Sequence, residues 1–278
     1  MAVDYVHGYS TKESIRLQDQ ASTLAELLHV DTIYPPGSRI LEAGCGVGAQ
    51  TLTLAANSPG ALITAVDISE TSVTEVARTI AAAGIANVLF KQADIFDLPF
   101  SPQSFDHVFL CFVLEHQSQP VQALNALQQI LKPDGTNTVI EGDHGSAFFY
   151  PDSEFARRAV ACQVRLQQKS GGNALIGRAL YPLLRHAGFE AVHVSPQMVY
   201  ADAGRPEMVE GFTKKTFTAM IEGIRKSALA AGLVSEPDFD RGVADLYRTA
   251  ESDGVFCYTF FKAVAINPGE VAAGPGEA

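Results

Sequence analysis

Several absences narrow this chain before any motif is considered. Its four cysteines, Cys45, Cys111, Cys162 and Cys257, stand far apart, without CxxC spacing and mostly in apolar contexts. That excludes a disulfide framework and a zinc site, so no metal is expected, and it fits a reducing cytosol. No apolar run reaches the ~18 residues that a bilayer span needs. The opening residues, MAVDYVHGYSTKES, hold no basic segment followed by an apolar one, so no secretory signal is expected. Positive charge is scarce as well: 20 Lys and Arg against 31 Asp and Glu give a formal charge of -11. Without a basic run, binding to nucleic acid or to another large polyanion is disfavoured. These absences leave a cytoplasmic protein with a small-molecule partner, and a homodimer is left open.

What is present is a long apolar alternation. Hydrophobic residues make up 47% of 278, enough for a single α/β domain that carries insertions. Thr11 to His29 has apolar residues at helical spacing, with Ser10 and Glu13 forming a capping-box pattern. Strand and helix patterns then alternate: RILEAG, AQTLTLAAN, LITAVDIS, SETSVTEVARTIAAAG closed by Gly84, NVLFKQAD, FDHVFLCFVLEH, PVQALNALQQILK and TNTVIEGDH. Such an order implies right-handed crossovers and a doubly wound, mostly parallel sheet. Beyond it come an amphipathic helix near 152–170, a helix in ALIGRALYPLLRHAGF, a sixth strand EAVHVSPQMVYA, helices over 205–250 and a last strand VFCYTFFKAVAI. The expected organisation is an N-terminal helical lid over 1–37, a main domain over 38–266 with helical insertions near 150–172 and 203–252, and a disordered Gly/Pro-rich tail over 267–278.

The chemistry begins at RILEAGCGVGAQ. Gly44, Gly46 and Gly48 fall in the first strand-to-helix turn, where ligands of doubly wound sheets bind and where a bare backbone can touch them. Asp67 ends the second strand about twenty residues on, placed to accept from both ribose hydroxyls of an adenosine. Its alternative role is to cap the next helix, which Ser69 or Glu70 could equally do. Gly44-x-Gly46-x-x-Ala49 also satisfies a dinucleotide fingerprint, so an NAD(P)-dependent oxidoreductase stays open. Glu42 argues against it, because a carboxylate beside the loop repels a pyrophosphate on the helix N-terminus but suits a cationic ligand.

Five stretches in order, LEAGCGVG, AVDIS, QADIFDLPF, FDHVFLCFVLEH and LKPDGTNTVIEG, resemble the class I S-adenosylmethionine-dependent methyltransferases, in particular the small-molecule branch of the ubiquinone/menaquinone type. The resemblance covers roughly residues 38–145. It implies a Rossmann-like, seven-stranded sheet with an antiparallel last strand, S-adenosyl-L-methionine as cofactor and S-adenosyl-L-homocysteine as product. It also implies that Glu42, Gly44 and Gly46 hold the amino-acid end of the cofactor and Asp67 its ribose. Ile68, Ala93, Asp94 and Ile95 would surround the adenine, and Leu114 would flank the methionine portion. LKPDG departs from the family in having Asp134 for a glycine, a change that a left-handed turn tolerates. A module that binds the cofactor without catalysis, to regulate a partner, is the non-enzymatic alternative.

Methyl transfer from a sulfonium needs positioning above all, and a base only if the acceptor arrives protonated. His144, at the carboxyl end of the fifth strand, is the candidate base, with Glu141 and Asp143 to orient it or to bind a substrate amine; a merely polar loop is the alternative. His116 is a weaker candidate on the substrate side. Tyr5, His7 and Tyr9 could fold over the cofactor, where aromatic faces attract a sulfonium. Arg16 is placed to reach the cofactor carboxylate or to pair on the surface. Tyr150, Arg178, Tyr181 and Tyr200 could line the acceptor pocket, with packing as the other role of each tyrosine.

Overall fold

The computed structural model describes residues 11–269. A first helix, α1 (Thr11–His29), precedes a run of β1 (Arg39–Ala43), α2 (Thr51–Asn57), β2 (Leu62–Asp67), α3 (Glu70–Ala82), β3 (Val88–Gln92), β4 (Phe105–Cys111), α4 (Pro120–Ile130) and β5 (Leu131–Tyr150). Then follow α5 (Glu154–Lys169), α6 (Leu180–His186), β6 (Glu190–Ala201), α7 (Pro206–Met208), a π-helix (Val209–Thr218), α8 (Ala219–Gly223), α9 (Arg225–Ala230), α10 (Glu236–Arg248) and β7 (Val255–Ile266). Seven strands form one sheet in the order β3-β2-β1-β4-β5-β7-β6, with β7 antiparallel to both neighbours. The fold is the Rossmann-like one expected, and the strand order reverses between β1 and β4, where a crevice opens at the strand ends.

The sheet is buried on both faces because its strands alternate between two cores. Ile40, Ile63, Phe109 and Ile140 point to the side of α1, α3 and α5, whereas their neighbours Leu41, Val66, Val108 and Val139 point to α4 and α6. Serines stop the backbone donors of three helices from being orphaned: Ser69 caps α3, Ser153 caps α5 and Ser235 caps α10. Asp134 has φ +61, the left-handed turn that its place in LKPDG demands.

At the C-terminal end of α1 the chain is tied to the sheet by Lys262 of β7, 4% exposed. Its ammonium donates to Leu28 O at 3.1 Å and Thr32 Oγ1 at 2.6 Å and pairs with Asp31. Residue 267, where the tail was expected to begin, is held in the fold. Asn267 is buried and its amide donates to Leu131 O at 3.0 Å, because the carbonyls after α4 need a donor where β7 ends. Residues 270–278 lie outside the described part, as does Ser10.

Candidate active site

The β1–α2 turn is shaped by what leaves no room. Gly44 and Gly48 both have φ +77; a Cβ at Gly44 would lie 2.6 Å from Val113 Cγ2, and one at Gly48 1.8 Å from Val76 Cγ2. Four of the turn's own donors are already used. Gly44 and Cys45 N–H donate to Val66 O at 2.8 and 2.9 Å, Gly46 N–H to Asp67 Oδ2 at 2.9 Å, and Gly48 N–H to Cys45 O at 2.8 Å. A pyrophosphate cradle requires free N–H groups, which this turn does not offer at those four positions. Asp67 accepts a second bond from Ser69 N–H at 2.9 Å, while Ser69 itself caps α3. Its carboxylate is therefore held at the rim of the turn, and the capping alternative for Asp67 falls away.

A cavity of about 1000 Å³ runs from this turn across the crevice. One half is bordered by the Gly44–Gln50 turn, Asp67, Ile68 and the Ala93–Phe96 segment after β3, where Asp94 Oδ1 accepts from Phe96 N–H at 2.9 Å. The short turn of helix over Leu114–His116 closes its side, with Glu115 and His116 in the wall and 3.6 Å apart. Phe112, just past β4, sits in the wall at φ +58, a strained conformation for a bulky residue. The other half is aromatic: Phe212 and Phe217 from the π-helix, Tyr258 and Phe260 from β7, and His144 between them.

His144 stands where β5 slips register against β7 between Asp143 and Phe148, so its side chain leaves the regular alternation and enters the cavity. Its Nδ1 meets Tyr258 Oη at 2.9 Å, and its Nε2, fully enclosed, has no partner among the described residues. Gly142 makes this contact possible, since a Cβ there would lie 2.4 Å from Tyr258 Oη. Burial pushes the imidazole below its ordinary value, against the pull of the Glu115 and Asp143 carboxylates, so it is neutral at pH 7. Burial also raises Tyr258 well above the usual phenol and Cys45 and Cys111 above the usual thiol, which leaves no nucleophilic cysteine in the wall. Glu42 lies beneath the turn, where burial and then the charge of Asp67 push its carboxyl up to about 7.

Residues 40–135 match a family described as a methyltransferase domain. Among curated relatives, 27-O-demethylrifamycin SV methyltransferase of Amycolatopsis mediterranei is 28% identical over 80% of this chain and 76% of its own. A 37.1 kDa protein of Streptomyces fradiae, named as uncharacterized and carried in transposon TN4556, is 33% identical over 68% of this chain and 54% of its own. The chain carries a class I S-adenosylmethionine-dependent methyltransferase domain. It spans about half or less of the length of the first curated relatives it matches. In fold, the methyltransferase domain superposes on the [4+2]-cyclase SpnF with a TM-score of 0.57 at 22% identity, covering 88% of this chain and 80% of that one.

Within this methyltransferase domain the cavity gathers Gly44, Gly46, Asp67, Ile68, Ala93, Asp94, Ile95, His116 and His144, and also Arg16, whose Nη1 donates to Gln20 Oε1 at 3.0 Å. It does not gather the rest, and each departure has a cause. Glu42 is behind the turn rather than in the wall, with Oε2 unpartnered. Leu114 packs into the core against α4, and Val113 takes the place in the wall that Leu114 was expected to hold. Glu141 points back to accept the Val113 and Leu114 N–H groups at 2.9 and 2.7 Å; burial raises its carboxyl although both bonds pull it down. Asp143 forms a two-pronged pair with Arg178, at 2.5 and 2.8 Å, which removes both from the acceptor side. Tyr150, Tyr181 and Tyr200 are exposed on the outer surface, off the cavity. Tyr5, His7 and Tyr9 lie outside the described residues.

Sequence reasoning missed Tyr258, Phe260, Phe112, Phe212 and Phe217. The β7 pair could have been found, because Phe256, Tyr258 and Phe260 alternate along VFCYTFF and so share one face of the last strand. Phe212 and Phe217 are five apart, a spacing with no meaning on an α-helix.

Proposed function

We propose that this protein transfers a methyl group from S-adenosylmethionine to a small-molecule acceptor. The observation that carries the reading is a single cavity with two unlike ends: a turn with four of its N–H groups spent and Asp67 at its rim, and a neutral, enclosed His144 facing it. With Gly44, Cys45, Gly46 and Gly48 N–H spent, fewer donors are left for a pyrophosphate, which weighs against the oxidoreductase alternative; an orphaned imidazole in the same chamber favours catalysis over a binding module. Likeness in fold does not decide the reaction, since SpnF, named a cyclase, shares it.

When bound, S-adenosylmethionine supplies the methyl carbon on a sulfonium and leaves as S-adenosylhomocysteine. Asp67 accepts from the ribose hydroxyls, Ile68 covers one adenine face, and Asp94 accepts from its exocyclic amine. Arg16 is within the wall to meet the cofactor carboxylate, with α1 as part of the lid over the cavity. The enclosing aromatic rings exclude water and align the acceptor, and such positioning contributes about 7 to 11 kcal/mol. His144 takes the acceptor's proton at Nε2, which requires the tautomer with hydrogen on Nδ1 and Tyr258 Oη as its acceptor. Glu141, Asp143, Arg178, Tyr150, Tyr181 and Tyr200 have no place in this scheme.

The four free thiols are all buried, and among the described residues no helix is long and apolar enough to cross a membrane. Reduced, buried thiols fit a reducing compartment, and the cytoplasm is the site of action read from them. A homodimer rests on no contact described above, and light scattering decides it. Calorimetric titration with S-adenosylhomocysteine and, separately, NADP tests the whole reading: tight NADP binding with none of the former refutes it.

A further inference from the structure

The antiparallel end of the sheet carries an apolar face that the cavity does not use. Beyond the register slip in β5, Phe148 of β5 and Tyr200 of β6 flank Cys257 of β7 in one cross-strand row. Tyr150 and Met198 stand two residues away along their strands, on either side of that row, so the period of two puts all four side chains on one face. Phe149, Val199, Phe256 and Tyr258 alternate with them and face the core. An antiparallel sheet packed on one face is ordinarily polar on the other. Here the open face shows Phe148 56% exposed, Tyr150 62%, Met198 54% and Tyr200 40%.

Charge says what fits there. The three stretches that build the face, GSAFFYP, SPQMVYA and GVFCYTFF, hold no charged residue. Of the acids next along the chain, Asp143, Asp152 and Asp253 each pair with an arginine (Arg178, Arg157 and Arg248), and Asp202 accepts from Gly204 N–H. Two copies of a chain of formal charge -11 repel each other in general, but across this face they meet no like charge. The area is also of the right size. At about 200 Å² for a whole side chain of this kind, the exposed fractions amount to about 400 Å². A standard interface covers about 800 Å² per partner, of which about 450 Å² is apolar. Strand addition is the other way to join two sheets, and it is disfavoured: β6 is the edge strand, and Pro196 within it has no N–H to offer.

We infer that this face binds a second copy of the chain in a two-fold dimer, with Phe148, Tyr150, Met198 and Tyr200 of one protomer packed on the same face of its partner. The contact gives Tyr150 and Tyr200 a role outside the cavity and does not depend on which cofactor the cavity holds. Light scattering on the full chain at about 50 μM, above the micromolar-to-picomolar range of interfaces this size, is expected to give twice the 29.7 kDa of one chain. Tyr200→Glu and Phe148→Ser, judged folded by circular dichroism, are expected to raise the dissociation constant about 30-fold or more, as loss of a central anchor does. Val30→Glu, which alters a 70% exposed apolar residue between α1 and β1, is expected to leave it unchanged. In the unaltered protein, Met198 is expected to be oxidised by peroxide several-fold more slowly than free methionine, because the partner covers it. A single-chain mass for the unaltered protein overturns the inference, as does a mass beyond two chains that grows with concentration. A doubled mass that both face variants keep at full affinity overturns it too, and so does a doubled mass in which Met198 is oxidised as fast as free methionine.

Discussion

Replacing Asp67 separates two roles that one carboxylate performs. Its Oδ2 holds Gly46 N–H and its Oδ1 holds Ser69 N–H, each at 2.9 Å, and the outward lone pairs remain for the ribose. Asp67→Ala removes both internal bonds. The Gly46 donor is left inside a turn that has no room to rearrange, because Gly44 and Gly48 are pressed against Val113 and Val76. A part-buried donor left unpaired costs about 1 to 3 kcal/mol, and both Gly46 and Ser69 are part-buried. Unfolding in urea should therefore show a loss of about 1 to 3 kcal/mol without cofactor. Affinity for S-adenosylhomocysteine should fall by a further ~10- to 100-fold, since each 1.4 kcal/mol is a factor of ten. Asp67→Asn keeps one acceptor oxygen, so its stability should lie between the two, while the ribose still meets an amide donor and binding still drops. Calorimetry on both variants provides the measurement. Unchanged affinity in Asp67→Ala, with the stability loss present, would show that the residue serves the turn and not a ribose.

Three further perturbations follow from the buried groups. Glu42 titrates near 7 in the folded chain against 4.5 unfolded, so the folded state binds the proton more readily between these values; stability from this group is full below about 4.5 and is lost as pH rises through 7. At about 1.4 kcal/mol per unit the loss is about 3 kcal/mol, and Glu42→Gln should remove that slope from the ligand-free protein, read as the difference in urea midpoints between pH 5 and 8. His29, pushed down to about 4 by burial, slopes the other way between 6.5 and 4, but it is common to both proteins and cancels. Tyr258→Phe should lower kcat by about 10-fold with KM little changed, short of the ~10²–10⁴ that a base contributes, and should shift the acid limb of the rate profile; a parallel rise in KM would point to packing alone. Asp31→Ala should destabilise by about 1 to 2 kcal/mol in urea unfolding at pH 7, less than the loss of a fully buried pair, because Asp31 is 70% exposed and the buried ammonium keeps Leu28 O and Thr32 Oγ1 as acceptors.

The half of the site that was legible in the sequence lies where function is written into backbone conformation. Gly44, Gly46 and Asp67 are tied to a turn that only such residues can make, and their spacing survives whatever packs around them. The strands were legible for a similar reason, since burial on both faces forces continuous apolar runs. Glu141 and Asp143 misled because residue type fixes a charge but not its partner: one is drawn to backbone donors at Val113 and Leu114, the other to Arg178 across 35 positions. Leu114 and Val113 differ by one step, and the turn of helix over Leu114–His116 decides which of them faces the ligand. The π-helix was illegible outright. Its period follows from tertiary packing, so the apolar pattern over 205–250 reads as ordinary helix although the backbone is not.

Phe112 has a consequence for how this protein would respond to selection. A phenyl side chain at φ +58 stores about 1 to 3 kcal/mol that a glycine would release. Phe112→Gly would release that strain but lose a ring that packs on the core and pairs with Phe260 at 5.4 Å, a loss of about 3 to 5 kcal/mol where such a ring is buried. The packing outweighs the strain, so a population screened for heat resistance alone should keep the aromatic residue at that codon and hold the left-handed backbone that aims it into the wall.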